Sequence, residues 1–187
     1  MHTKRIFLIH GWGGSPENDW FPWARETLKD RFEVFVPKMP ETEHPKIEPW
    51  VDTLSRAVGE LRESDIFVGH SIGCQTILRF LERSSEGKRV DKVILIAPWW
   101  YLTLGDGEEQ ADADPWLEQD VDFKTVKNKA RKFVCVFSDN DPYVPMEKNI
   151  DFFKVNMDLM IITKNKQGHF SDESGVKEIE WLINLVK

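Results

Sequence analysis

Gly69-His70-Ser71-Ile72-Gly73 is the stretch of this sequence whose residue types and spacing point most directly to chemistry. Gly-x-Ser-x-Gly places a serine on a sharp turn between a strand and a helix, with its hydroxyl lifted above the sheet edge. The flanking sequence supplies that context: the apolar run Ile66–Val68 precedes it, and Ile77, Leu78 and Leu81 follow at helical spacing. A side chain at either glycine would collide with backbone in so tight a turn. A serine hydroxyl is a poor nucleophile near neutral pH unless a base takes its proton and an acid orients that base. The motif therefore predicts two partners elsewhere in the chain.

Of the five histidines, His169 in Lys166-Gln167-Gly168-His169-Phe170 is the best placed base. It follows the last apolar run, where a loop returns over the C-terminal edge of a sheet. His2 lies in the terminal stretch, His44 in a Pro-flanked loop, and His70, beside the nucleophile, is expected to project away from it. The acid is Asp141 in Phe137-Ser138-Asp139-Asn140-Asp141-Pro142, with Asp139 as competitor. Pro142 fixes the turn after Asp141, whereas Asp139 is expected to cap that turn with its own side chain. Ser71, Asp141 and His169 then occur in the chain order of an α/β-hydrolase relay. The glycine-rich His10-Gly11-Trp12-Gly13-Gly14 fails as a phosphate loop, because the Gly-x-Gly-x-x-Gly frame meets Pro16 and no Gly-Lys-Ser/Thr follows. Its use is as an oxyanion hole, the backbone N–H groups of Trp12 and Ile72 meeting the oxygen that turns negative in a tetrahedral intermediate.

The elements that must position these groups are legible in the hydrophobic pattern. Short runs at Ile6–Ile9, Val34–Val36, Ile66–Val68, Val93–Ile96, Phe133–Phe137 and Leu159–Ile162 each end in a turn and read as strands. They are apolar on both faces, as in a parallel sheet covered on each side. Helical stripes lie between them: Trp20, Trp23, Ala24 and Leu28; Ile47, Trp50, Val51, Leu54, Val58 and Leu61; and, near the end, Val176, Ile179, Leu182, Ile183 and Val186. The alternation predicts a three-layer α/β/α sandwich with a six-stranded parallel sheet and right-handed crossovers, as one domain over residues 1–187. One segment departs from it. Asp106–Asp122 holds eight carboxylates and no Lys or Arg. It reads as a solvated excursion between strands four and five, or as a small cap beside the active site, within residues 102–128, with Trp116 folded inward and the acids repelling anionic substrates.

Composition narrows the classes. With 187 residues, 41% hydrophobic and 30% charged, the chain is long enough to build a core without disulfides or structural metals. Cys74 and Cys135 form no Cys-x-x-Cys pair, which fits a reducing compartment, and the cytoplasm is the expected location. A net charge of −7 disfavours nucleic acid as a partner. Near the N-terminus the apolar run Ile6–Ile9 is too short for a signal peptide, and the longest uncharged stretch, Val93–Gly105, is too short for a membrane span, so no export or membrane association is expected. Asp112 and Asp114 lack the rest of a calcium loop, no His-Glu-x-x-His occurs, and no metal or cofactor is implied.

His10-Gly11-Trp12-Gly13-Gly14, Gly69-His70-Ser71-Ile72-Gly73, Ser138-x-x-Asp141-Pro142-x-x-Pro145 and Gly168-His169-Phe170 together resemble the small α/β-hydrolases related to retinoblastoma-binding protein nine, over essentially the whole chain. The resemblance implies a minimal hydrolase fold lacking the superfamily's first two strands, a Ser71-Asp141-His169 triad, and serine hydrolase activity. The Leu-x-Cys-x-Glu segment linked to the retinoblastoma contact is absent, its place reading Leu61-Arg62-Glu63-Ser64-Asp65, so that partner is not expected.

The substrate side is read from aromatic residues. Trp12, Trp99, Trp100 and Tyr101 fall at strand ends near the nucleophile, and Trp99, Trp100 and Tyr101 are the candidate substrate pocket. They suggest small, uncharged, hydrophobic carboxylic esters, with amides and thioesters open to the same groups. The other class is a protein-interaction module that keeps the fold without turnover.

Overall fold

The computed structural model describes residues 3–85 and 87–187, so His2 lies outside the described residues. The chain runs β1 (Lys4–Ile9), α1 (Phe21–Leu28), β2 (Phe32–Phe35), α2 (Ile47–Val58), β3 (Ile66–His70), α3 (Ile72–Arg83) and β4 (Val90–Ile96). It continues with α4 (Gln110–Glu118), α5 (Phe123–Val126), β5 (Ala130–Ser138), α6 (Met146–Asn156), β6 (Met160–Lys164), a 3-10 turn at Asp172–Ser174 and α7 (Trp181–Leu185). The six strands form one parallel sheet in the order β2-β1-β3-β4-β5-β6, with helices on both sides. All six expected strands are present. The inner strands are buried on both faces, while the edge strands β2 and β6 are partly exposed.

This strand order fixes where a site forms. From β1 the sheet grows one way to β2 and the other way to β3, so the connections diverge at β1 and β3, and a crevice opens beyond their C-terminal ends. Pairing of Ile9 with Gly69 and of His70 with Ile96 brings those ends level. Pairing of Ser138 with Lys164 does the same for the β5 and β6 loops.

The helices bury the stripes that predict them. In α2, Ile47, Trp50, Val51, Leu54 and Val58 face inward, and the helix stops at Gly59, whose φ of 60° suits glycine. In α3 every residue from Ile72 to Leu81 is buried, including Arg79. The Arg79 guanidinium donates to the carbonyls of Trp116 (2.9 Å) and Gln119 (2.8 Å), clamping α4 onto α3. Trp116 itself is fully buried, with Nε1–H donating to Pro45 O at 2.9 Å. The acidic segment thus does fold Trp116 inward.

The C-terminal stripe departs from expectation. Val176 and Ile179 are buried, yet residues 176–179 are not helical and α7 spans five residues. Gly175, at φ 75°, turns the chain out of the 3-10 turn, and Val176 N–H bonds Ser171 O, so the segment enters the core as a loop. Burial at helical spacing here follows from packing alone. Cys74 and Cys135 are both buried free thiols, and burial pushes both thiols up, which leaves them unreactive.

Candidate active site

Ser71 stands at the junction of β3 and α3 with φ 52° and ψ −122°, a left-handed conformation costly for a residue with a Cβ. Its neighbours hold it there: Ser71 N–H bonds Ile96 O on β4 (2.9 Å), and Ser71 O accepts from Cys74 N–H (2.9 Å). The two motif glycines are required sterically. A Cβ at Gly69 would lie 2.8 Å from Cys74 N, and one at Gly73 would lie 2.4 Å from Ile9 O.

His169 is positioned by lacing between the loops after β5 and β6. Asp139 Oδ1 accepts from Lys166 N–H (2.7 Å), Ser138 Oγ from Gln167 N–H (3.0 Å), and Asn140 Oδ1 from Gly168 N–H (2.8 Å). Asp141 completes the series with Oδ2 2.8 Å from His169 Nδ1. Four consecutive side chains of one loop therefore grip four consecutive residues of the other. The turn geometry differs from expectation, since Asp141 itself caps it: Oδ1 accepts from Tyr143 N–H (2.9 Å) and Val144 N–H (3.1 Å), while Asp139 holds Lys166. Asp141 is thus locked in orientation and its side chain is 2% exposed. Gly168, at φ 51°, meets Ser174 so closely that a Cβ would fall 2.2 Å from its Oγ, and that hydroxyl accepts from His169 N–H at 3.0 Å.

His70 is not turned away from the site. Its Nε2 lies 2.7 Å from His169 O, and the two rings sit 4.9 Å apart. A carbonyl only accepts, so Nε2 carries the hydrogen and Nδ1 is a lone pair; that Nδ1 has no partner among the described residues. Burial first, then the neighbouring His169, lowers the His70 pKa to about 3, keeping the ring neutral. His10 plays a comparable part under the glycine loop, receiving Met39 N–H on Nε2 (3.1 Å) and donating from Nδ1 to Gly11 O (3.0 Å). Its pKa is lowered by burial.

Ser71, His70 and His169 line one cavity of about 680 Å3 together with Gly11–Gly14. Ser71 is 6% exposed and its Oγ has no hydrogen-bond partner among the described residues. The N–H groups of Trp12 and Ile72 are likewise uncommitted among the described residues, as an oxyanion hole requires. Trp99 belongs to the cavity wall, but Trp100 and Tyr101 do not. Trp100 stacks on Phe152 at 4.8 Å and Tyr101 meets the same ring edge-on at 6.2 Å. Asn149 Oδ1, which accepts from both their N–H groups (2.6 and 2.9 Å), turns this segment toward α6.

The cavity is less apolar than that aromatic segment suggests. Beside Trp12, Trp99, Leu102, Leu104 and Tyr143 it carries Asp19, Glu43, Asp106, Glu108, Asp172 and Glu173. Asp19 and Asp172 each accept the other's backbone N–H (2.7 and 3.1 Å), joining the entry to α1 to the loop after His169. Desolvation, with Asp172 and Glu173 adding to it, raises the Asp19 pKa. Asp106 and Glu108 belong to the acidic run that stands out in the sequence, whereas Asp19, Glu43, Asp172 and Glu173 have no local signature, and the Ser138–Asp141 run of hydrogen-bonding side chains is a signal the sequence carries without a recognised motif. Among the described residues no group of three or more His, Cys, Asp or Glu is placed to hold a metal ion, and no helix is long and apolar enough to cross a membrane.

Comparison with known proteins places the chain in a family. A model of the serine hydrolase family matches residues 6–187, and the chain belongs to that family. It is 29% identical to YdeN of Bacillus subtilis (strain 168) over 185 residues, covering 98% of this chain and 95% of YdeN. The crystal structure of the ydeN gene product superposes with a TM-score of 0.89, at 28% identity, covering 98% of this chain and 97% of that one. Est1E from Butyrivibrio proteoclasticus, solved with ferulic acid, shares the fold with a TM-score of 0.72 at 16% identity, covering 98% and 86% of the two chains. The protein is a hydrolytic enzyme of the α/β-hydrolase fold.

Proposed function

We propose that this enzyme hydrolyses small carboxylic esters through an acyl-enzyme on Ser71, with His169 as base and Asp141 as its orienting acid. The observation that carries the proposal is the 2.8 Å contact of His169 Nδ1 with a doubly anchored Asp141 carboxylate, in the cavity that also receives the strained Ser71. The carboxylate holds the Nδ1–H tautomer, leaving Nε2 free to take a proton. Ser71 Oγ attacks the ester carbonyl carbon as its proton passes to His169 Nε2, and the carbonyl oxygen becomes an oxyanion facing Trp12 and Ile72 N–H. Collapse breaks the bond to the alkoxy oxygen, which leaves with the proton from His169. Water then attacks the acyl carbon, again giving a proton to His169, and the acid departs with Ser71 restored. The contact between Ser71 and His169 is the link that substrate completes, since catalytic hydrogen bonds tighten in the Michaelis complex.

A fluorophosphonate probe tests this. The wild type is expected to label and to turn over p-nitrophenyl esters, with both lost in Ser71→Ala and His169→Ala. A folded wild type that neither labels nor hydrolyses refutes it and favours a module without turnover.

A further inference from the structure

Six carboxylates from four separated segments line the cavity over Ser71, at Asp19, Glu43, Asp106, Glu108, Asp172 and Glu173, and no Lys or Arg among the described residues does. They are too dispersed to chelate one ion, as no three-ligand group forms among the described residues. A second feature points to a ligand in this space. Ser71 is more than nine-tenths buried and opens its unpartnered hydroxyl into this same space. A third concerns the walls: the partly exposed Trp12 and Tyr143 line it, and aromatic faces attract cations. The local field is negative enough to act on Tyr143. Its phenol is pushed up, first by desolvation and then by Glu173, Glu108, Asp106 and Asp141.

From these observations we propose that the substrate is a cation: an ester carrying an ammonium or quaternary ammonium group, which sits among the rim carboxylates and aromatic walls while its carbonyl lies over Ser71. This rests on the hydrolase reading above and names the substrate class of the same site. The physical basis is additive. Each solvent-exposed charge contact contributes about two- to fivefold in affinity, so three acting together give a preference of about tenfold or more over an uncharged isostere. The same field disfavours anionic esters, and both effects weaken as salt screens the rim.

The experiment compares kcat/KM for matched probes. One set is the p-nitrophenyl esters of hexanoic acid, of its ω-ammonio derivative and of its ω-carboxylate counterpart, which places the charge on the acyl side. The other is butyrylcholine against its uncharged isostere neohexyl butyrate, which places it on the alcohol side. The expected result is a cationic-to-neutral ratio of about tenfold or more in at least one set, with the anionic ester slowest, and a ratio that shrinks at high salt. In Glu43→Gln/Asp106→Asn/Glu173→Gln, whose altered carboxylates have no hydrogen-bond donor among the described residues, the ratio should fall toward one. Neutral-ester turnover lost on Ser71→Ala, together with a cationic ratio below about twofold in both sets, overturns this inference and leaves the hydrolase reading intact. A strong ratio that neither salt nor the triple substitution changes also overturns it. No labelling and no turnover of any probe overturns both.

Discussion

His70 offers a perturbation with two separable readouts. Its Nε2–H donates to His169 O at 2.7 Å, holding the loop that carries the base, and its ring is 3% exposed. Glutamine reproduces a donor near the Nε2 position, whereas phenylalanine fills the volume and leaves the carbonyl without its donor. Losing such a bond costs about 0.5–1.5 kcal/mol, so kcat in His70→Phe is expected to fall about three- to tenfold, with His70→Gln restoring most of it and KM little changed in either. The second readout is linkage. The unfolded imidazole titrates near its ordinary 6.5 and the folded one near 3. Protons are therefore bound preferentially by the unfolded chain as pH falls through this window, and stability present above pH 6.5 is lost progressively down to about 3. At pH 5 the loss from His70 alone is about 2 kcal/mol. Urea denaturation at pH 7 and pH 5 should show the wild type losing about 2 kcal/mol more than His70→Gln; His10, also depressed by burial, contributes equally to both proteins. Equal losses, or a His70→Gln enzyme as slow as His70→Phe, refute the reasoning.

Two other substitutions test the site's construction. Asp141→Asn should lower kcat by about 10⁴, the scale for a triad acid whose loss permits the wrong imidazole tautomer, while Asp139→Ala, which loses only the clasp on Lys166 N–H, should cost less than about tenfold in steady-state ester hydrolysis; the reverse ranking would exchange their roles. Gly73→Ala would place a Cβ 2.4 Å from Ile9 O, against backbone that cannot yield, so soluble expression and the cooperative unfolding transition should be lost, and a stable, active variant would show that the elbow is looser than described.

What could be read from sequence divides along physical lines. Strands apolar on both faces and the α2 stripe announce themselves because burial on a regular element repeats with that element's period. Ser71, Asp141 and His169 are legible because each occupies a turn directly after a strand, where local residue types matter. The C-terminal segment misleads for the same reason in reverse: Val176 and Ile179 keep helical spacing while packing as a loop. Trp100 and Tyr101 follow a strand end, as a pocket residue would, yet Asn149, nearly fifty positions away, draws them to α6. His70 adjoins the nucleophile, but its partner is a carbonyl 99 residues distant.

The charge of the cavity shows most clearly why proximity in sequence and proximity in space part company. Eight carboxylates crowd Asp106–Asp122, the stretch that sequence reading singles out as acidic, but only Asp106 and Glu108 of them line the cavity. The others serve elsewhere where their contacts are defined: Asp112 pairs with His44 at 2.8 Å, Asp114 accepts from Gln110 Nε2–H at 2.6 Å, and Asp122 caps α5 through Lys124 and Thr125 N–H. Asp19, Glu43, Asp172 and Glu173 come instead from loops with no excess of acid around a recognisable motif, gathered because every loop at the β1/β3 end of the sheet opens onto one crevice. Because Asp19 and Asp172 also clasp each other's backbone, part of this charge is built into the framework that carries His169. If the proposed cation preference and the proposed base share this framework, neutralising Asp172 should slow every ester, whereas neutralising Glu43, Asp106 or Glu173 should lower the rate of cationic esters more than that of neutral ones.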